Sequence, residues 1–290
     1  MAWRSAILGV AVLIFLLSAP APGRAQETPY FVSYSHHLEE PGNFEIESNS
    51  ILGTQRPTSP FLASSLSFEY GVKAWWTTEV YLEGQSTFGD SALFTGVRWE
   101  NRLRPLMHEH WINPLLYFEF ENINGADKTL LEVVGHDSEA DMADLNATAR
   151  IEHKREIETK LILSSDFKGW NVSENFIAEK NLAFAPWEFG YAIGASRPLR
   201  LDAAPRPCNF CRENFLAGAE FYGGLGSTES LTLSATSHYG ATIVGWQLPN
   251  GMTFRLSPGW GLNDRSHRFL LRWGVSYEVG QIGRHLRRMF

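Results

Sequence analysis

From residue 43 onward the chain consists of segments about ten residues long in which apolar and polar side chains alternate. A period of two belongs to extended strands whose two faces meet different surroundings. Residues 267–279 show it most plainly: Phe269, Leu271, Trp273, Val275, Tyr277 and Val279 take every second position, with Arg268, Arg272, Gly274, Ser276 and Glu278 between them. Residues 64–73 repeat it, setting Leu66, Phe68, Tyr70 and Val72 against Ser65, Ser67, Glu69 and Lys73. The pattern predicts twelve strands, at 43–52, 64–73, 77–85, 92–103, 112–122, 156–167, 170–180, 187–198, 213–224, 231–247, 252–262 and 267–279. Lys168-Gly169 and Asn250-Gly251 supply the tight turns that hairpins need.

A face of large apolar groups must be covered, and the chain offers few good candidates, helix or second sheet, to cover it. Ten-residue alternating segments are how lipid-facing, lumen-facing strands read. The expected fold is therefore all-β, a transmembrane antiparallel up-and-down β-barrel of about 12 strands spanning 43–290. With both termini in the periplasm, the turns at Trp75, Lys168 and Asn250 fall on the periplasmic side and the irregular stretch 123–153 falls outside. Trp75 and Trp76 sit where an interfacial aromatic girdle belongs. Residues 26–42 read as a polar periplasmic lead-in. In the last strand Arg272, Gly274, Tyr277 and Val279 resemble the closing assembly signal of outer-membrane proteins, which implies the barrel assembly machinery as a partner.

The polar face carries both signs. Glu45, Glu47, Glu69, Lys73, Glu79, Glu83, Arg98, Glu100, Arg102, Glu119, Glu121, Glu158, Lys160, Arg255, Arg272 and Glu278 are expected to line the lumen, with Glu156, Glu188 and Glu220 beside them. Such charges either pair across a narrow barrel and close it, or separate onto opposite walls and leave a thin polar path. An excess of Glu favours cations or polar neutral solutes in an open pore.

Before the barrel, Met1 and Arg4 precede an apolar run from Ala6 to Leu17, and Gly23-Arg24-Ala25 supplies small residues for cleavage after Ala25. Residues 1–25 thus read as a secretory signal peptide, too short in its apolar run to span a bilayer. It holds two of the 25 bases and none of the 32 acids, leaving 23 bases against 32 acids, a formal charge of −9. That balance argues against nucleic acid as a partner. Composition, 44% hydrophobic and 13% aromatic, excludes a disordered chain. The two cysteines, Cys208 and Cys211, are candidates for a small structural disulfide in an exported protein.

Other chemistry is sparse. His108-Glu109-His110 has chelating spacing but no third local ligand, so it reads as surface. Asp127, Glu132, Asp137, Glu139, Asp141 and Asp144 form an acidic outer loop that lacks the offsets of a calcium loop and reads as solvated, with divalent bridges to lipopolysaccharide as an option. Ser237 and His238 are adjacent on a strand and point to opposite faces, so a barrel lipid hydrolase built on them is disfavoured. No cofactor, metal set or catalytic residue is expected.

Two segments, 156–167 leading to Asn171 and Asn175, and His238-Tyr239-Gly240 through Gly259 and Gly261-Leu262 to the last strand, resemble outer-membrane barrels of the transporter and MetA-pathway phenol-degradation type. The resemblance implies a bacterial outer-membrane location among lipid and lipopolysaccharide, and passive transport of a small solute. A non-conducting structural or sensing barrel is the alternative.

Overall fold

The computed structural model describes residues 29–54, 59–128, 144–183, 186–202 and 208–284. The expected signal peptide, most of the expected acidic outer loop and the last six residues lie outside these. Twelve antiparallel strands form the barrel: β1 Phe44–Thr54, β2 Phe61–Lys73, β3 Trp76–Thr87, β4 Ala92–Leu103, β5 Asn113–Asn124, β6 His153–Phe167, β7 Trp170–Asn181, β8 Trp187–Pro198, β9 Phe215–Ser227, β10 His238–Gln247, β11 Met252–Gly261 and β12 Phe269–Val279. Each pairs with its sequence neighbour, and β1 closes on β12 from Phe44↔Val279 to Thr54↔Phe269. Closure removes the sheet edges that would otherwise stay unpaired. The end that holds the start of β1 and the finish of β12 is the near end below.

The alternation sorts side chains between two surroundings. On β5, Phe118 and Phe120 are 46% and 40% exposed while Glu119 between them is 2% exposed. Val80, Leu82, Phe176, Ile193, Val244 and Leu256 likewise face outward, and they form an apolar belt. Aromatic residues crowd its two borders. Trp75 stacks on Trp76 and Trp111 meets Phe167 edge-on at the near end, and Trp260 packs on Phe269 at the far end. Charge at the middle of this belt should be poorly tolerated. Phe118→Arg is expected to lower folding stability in a bilayer by about 2–4 kcal/mol. Urea titration of refolding into vesicles measures it, and a loss below about 1 kcal/mol would place water rather than lipid against that face.

Three expectations are corrected. Strand β10 begins at His238, not at 231, because the hydroxyls of the intervening Ser and Thr residues turn the backbone: Thr236 Oγ1 donates to Leu233 O at 3.1 Å, and Leu231 keeps only a single bridge to Gly226. Lys73 is exposed rather than inward, since the register shifts between Gly71 and Lys73 at the end of β2 and the extra residue reverses the facing.

The third concerns the lead-in, which lies inside the barrel. Tyr30, Val32, Ser33, Ser35, His36 and Glu39 are all under 9% exposed. The segment crosses the near half of the lumen before the chain turns at Gly42 into β1, where the Gly42 N–H donates to Gly71 O at 2.7 Å. Extended backbone inside a barrel needs partners for its amides, and inward polar side chains provide them. The wall makes room by being small. A Cβ on Gly71 would stand 2.1 Å from Glu40 O, and one on Gly194 would stand 2.7 Å from the Tyr30 ring. Cys208 and Cys211 form a disulfide in the near-end loop between β8 and β9. Phe210 beside it stacks on Trp246 with centroids 4.9 Å apart.

Candidate functional site: a charged lumen occupied by the amino-terminal segment

Eleven of the residues expected to line the lumen, Glu45, Glu79, Glu83, Arg98, Glu100, Arg102, Glu119, Glu121, Glu158, Lys160 and Arg272, are buried. Glu47, Glu69, Arg255 and Glu278 are partly buried around a cavity of about 160 Å³ between the segment and the wall formed by β1–β4, β11 and β12.

The strand register arranges the acids in a way that no single strand reveals. Reading directly opposite partners around the barrel, Glu278 faces Glu45, which faces Glu69, then Glu79, Glu100, Glu119, Glu158, Glu179 and Glu188. Nine adjacent strands each contribute one glutamate to a single row. The row starts at the next-to-last residue of β12, at the near rim, and ends at the second residue of β8, at the far rim. It therefore climbs the inner wall as a ramp. Like charges set directly opposite destabilise a sheet, so the ramp needs bases. Arg102 supplies one to three members, at 2.6 Å from Glu69, 3.1 Å from Glu79 and 2.7 Å from Glu100. Arg98 bridges Glu83 at 2.6 Å and Glu119 at 2.8 Å, and Lys160 pairs with Glu158 at 2.8 Å. Tyrosine rings flank these cations: Arg98 lies 4.2 Å over Tyr81, and Lys160 lies 4.2 Å over Tyr117 and 4.7 Å over Tyr34.

The internal segment is docked mainly through its backbone. The carboxylate of Glu220, fully buried on β9, accepts the N–H groups of Phe31, Val32 and Ser33 at 3.2, 3.0 and 2.6 Å. The Asn175 amide accepts the Tyr34 N–H at 2.6 Å and donates to Tyr34 O at 2.9 Å. Arg255 donates to Tyr30 O at 2.8 Å, and the Tyr34 hydroxyl donates to Glu100 at 3.0 Å. In the far half, Ile51, Phe61, Tyr222, Tyr239 and Leu270 belong to one buried apolar cluster that also takes in Val32 of the segment.

One acid at the foot of the segment gives a pH dependence. Burial, then the carboxylates of Glu69, Glu278 and Glu45, push Glu39 up to about 9 from its ordinary value of 4.5. A carboxyl that is more basic when docked takes up a proton on docking, so docking weakens as pH rises through this window. Protease cleavage of the segment, normalised to a free peptide, is expected to be several-fold faster at pH 9 than at pH 7. An unchanged rate would mean that Glu39 stays ionised in place.

At the near rim, His36 Nδ1 contacts Ser164 Oγ, and its Nε2 lies 3.0 Å from Glu109 Oε2. Hydroxyl, imidazole and carboxylate thus stand in the order of a hydrolytic triad. The Ser164 oxygen also accepts the backbone N–H of His36 at 2.9 Å, and Ser164 is 2% exposed, so it braces the ring and offers no face to an acyl group. Ser237 Oγ donates to Arg265 O at 2.9 Å, and the ring of His238 meets Tyr191, Thr236 and Leu233 O, none of them a carboxylate. His108 and His110 are exposed, while Glu109 between them is the member of that tripeptide that meets the segment.

No protein-family model matches the chain, and no curated protein does. Among solved structures it is similar to the COG4313 outer membrane channel from Pseudomonas putida F1, with a TM-score of 0.54 at 10% identity over 88% of this chain and 100% of that one. It is also similar to the KdgM porin, with a TM-score of 0.46 at 7% identity over 80% and 98% of the two chains. LpxR from Salmonella typhimurium is matched with a TM-score of 0.38 at 10% identity over 81% and 99% of the two chains. At such identities the likeness concerns the fold, which is that of outer-membrane β-barrels.

Proposed function

We propose that the chain is a bacterial outer-membrane channel for small polar or cationic solutes, held closed by its amino-terminal segment. The observation that carries this reading is that the near half of a charged lumen is filled by a segment docked chiefly through backbone amides. A plug of this kind can leave without disrupting the strand pairing. An acid-rich wall, with one arginine shared by three glutamates, favours cations over anions once the lumen is open. The sequence resemblance to transporter and MetA-pathway barrels supports a solute-uptake role, and the channel and porin neighbours agree with it at the level of fold.

The apolar cluster in the far half favours a second reading, a barrel that does not conduct and serves a structural or sensing role. Single-channel recording separates the two. Refolded wild-type protein is expected to be mostly closed, and a Glu220→Ala variant is expected to open in steps with cation preference. If neither conducts at any applied potential, the channel reading is lost and the non-conducting one stands.

A further inference from the structure

Four side chains from three separate elements converge at the near rim: His36 and His37 of the internal segment, Asp166 of β6, and Glu109 of the turn between β4 and β5. His36 Nε2 is 3.0 Å from Glu109 Oε2 and 3.9 Å from Asp166 Oδ2, and His37 Nε2 is 2.9 Å from Asp166 Oδ2. Donor atoms of His36, His37 and Asp166 all lie within 4.8 Å of one another.

What distinguishes this cluster from ordinary histidine–acid contacts is how the other atoms are engaged. His36 Nδ1 is held by Ser164. Asp166 Oδ1 accepts a hydrogen bond from Asn171 at 2.6 Å. Glu109 Oε1 accepts one from Arg104 at 2.6 Å. The braces on His36 and Asp166 fix one atom of each group and leave His36 Nε2 and Asp166 Oδ2 beside His37 Nε2, while Glu109 Oε2 reaches this set through His36; outer partners that orient ligands in this way are a feature of metal sites. A tetrahedral ion bound at about 2.0–2.2 Å separates its ligands by about 3.4 Å, and the three contacts above bracket that value. Two imidazoles with two carboxylates suit a borderline first-row ion better than calcium, which prefers oxygen alone. The two carboxylates also balance a divalent charge.

We propose that His36, His37, Asp166 and Glu109 bind a divalent first-row transition metal ion, with Zn²⁺ as its test case. The ion would pin two adjacent residues of the segment to the barrel wall and to a near-end turn, so the same site would lock the plug. The side chains of Asp166 and Glu109 are 43% and 59% exposed, which opens the site to ions from the near-end solution. Binding does not require that the barrel conduct.

The test uses tag-free, refolded chain, stripped with EDTA, equilibrated with Zn²⁺ and dialysed. Metal analysis is expected to give one ion per chain, and calorimetry to show affinity falling at least tenfold in both His37→Ala and Asp166→Asn. His37 is part-exposed on the segment, so its loss leaves the barrel to fold, which the heat-dependent gel shift checks. A His108→Ala/His110→Ala variant removes the competing surface pair and is expected to bind as wild type. In a second measurement, Zn²⁺ should slow proteolysis of the segment in wild type and leave the rate unchanged in His37→Ala. Absence of stoichiometric zinc, or binding lost with His108 and His110 but kept without His37, overturns the assignment. A chain that binds zinc and never conducts loses the channel reading and keeps this one; a conducting chain that binds no zinc does the reverse.

Discussion

Glu220→Ala is expected to release the amino-terminal segment from the lumen. Three backbone N–H groups converge on that one carboxylate, and hydrogen bonds to a charged group contribute about 1.5–3 kcal/mol each. Their joint loss is at least about 4 kcal/mol before any water enters the space. Water recovers part of this, which leaves a shift of about two powers of ten in the docked population at about 1.4 kcal/mol per tenfold. Chymotrypsin reads that population directly, because Tyr30, Phe31 and Tyr34 are cleavable only when the segment is out of the barrel. Cleavage should quicken about a hundredfold in Glu220→Ala. It should rise less in Glu220→Gln, which keeps a carbonyl acceptor. A barrel that still shows its folded gel mobility but protects the segment in Glu220→Ala would show that other contacts hold the plug.

The strand pattern was readable because a membrane barrel imposes one rule on every strand. Phe118, Glu119 and Phe120 obey it as plainly as Leu66, Ser67 and Phe68, and eleven of twelve expected segments overlap their observed strands closely at both ends. The rule fails where side chains compete with the ladder. In 231–237 the Leu-Thr-Leu-Ser alternation looks like strand, but its hydroxyls bond the local backbone instead. At Lys73 the period is correct until a bulge inserts one residue.

The plug was harder to read, although its trace is in the wall. Gly190, Ala192, Gly194 and Ser196 on β8 face inward, as do Ala241 and Gly245 on β10 and Gly274 on β12. Residues this small cannot fill the interior of a barrel of twelve strands, so something else must occupy the space beside them. Tyr30 lies against Gly194, and Phe31 lies beside Gly274. The glutamate ramp was hidden for a different reason. Each inward Glu is visible on its own strand, but whether Glu100 faces Glu79 or Tyr81 depends on a register that turn lengths and bulges set. The contact of Glu109 with the segment is not legible in the tripeptide, because His-x-His spacing suggests local chelation and says nothing of a segment arriving from residue 36.

Arg102→Met should be the most destabilising single change in the wall. The Arg102 guanidinium is the shared partner of Glu69, Glu79 and Glu100, three consecutive members of the ramp, and its side chain is 10% exposed. Removing one partner of a buried ion pair costs about 3–5 kcal/mol, because the abandoned charge stays in a poorly solvated place. Here three abandoned carboxylates would face one another across adjacent strands. The loss of folding free energy in vesicles should reach at least the upper part of that range. Arg102→Lys should fall between, since an ammonium carries the same charge but cannot fork toward three carboxylates at once. A shape-matched control separates charge from packing: Tyr81→Phe removes one hydroxyl donated to Glu100 at 2.9 Å and should cost no more than about 1–3 kcal/mol. If Arg102→Met instead costs under about 1 kcal/mol, the ramp is wet enough for water and counterions to screen it. That outcome would favour a lumen already open to ions over one sealed by paired charge.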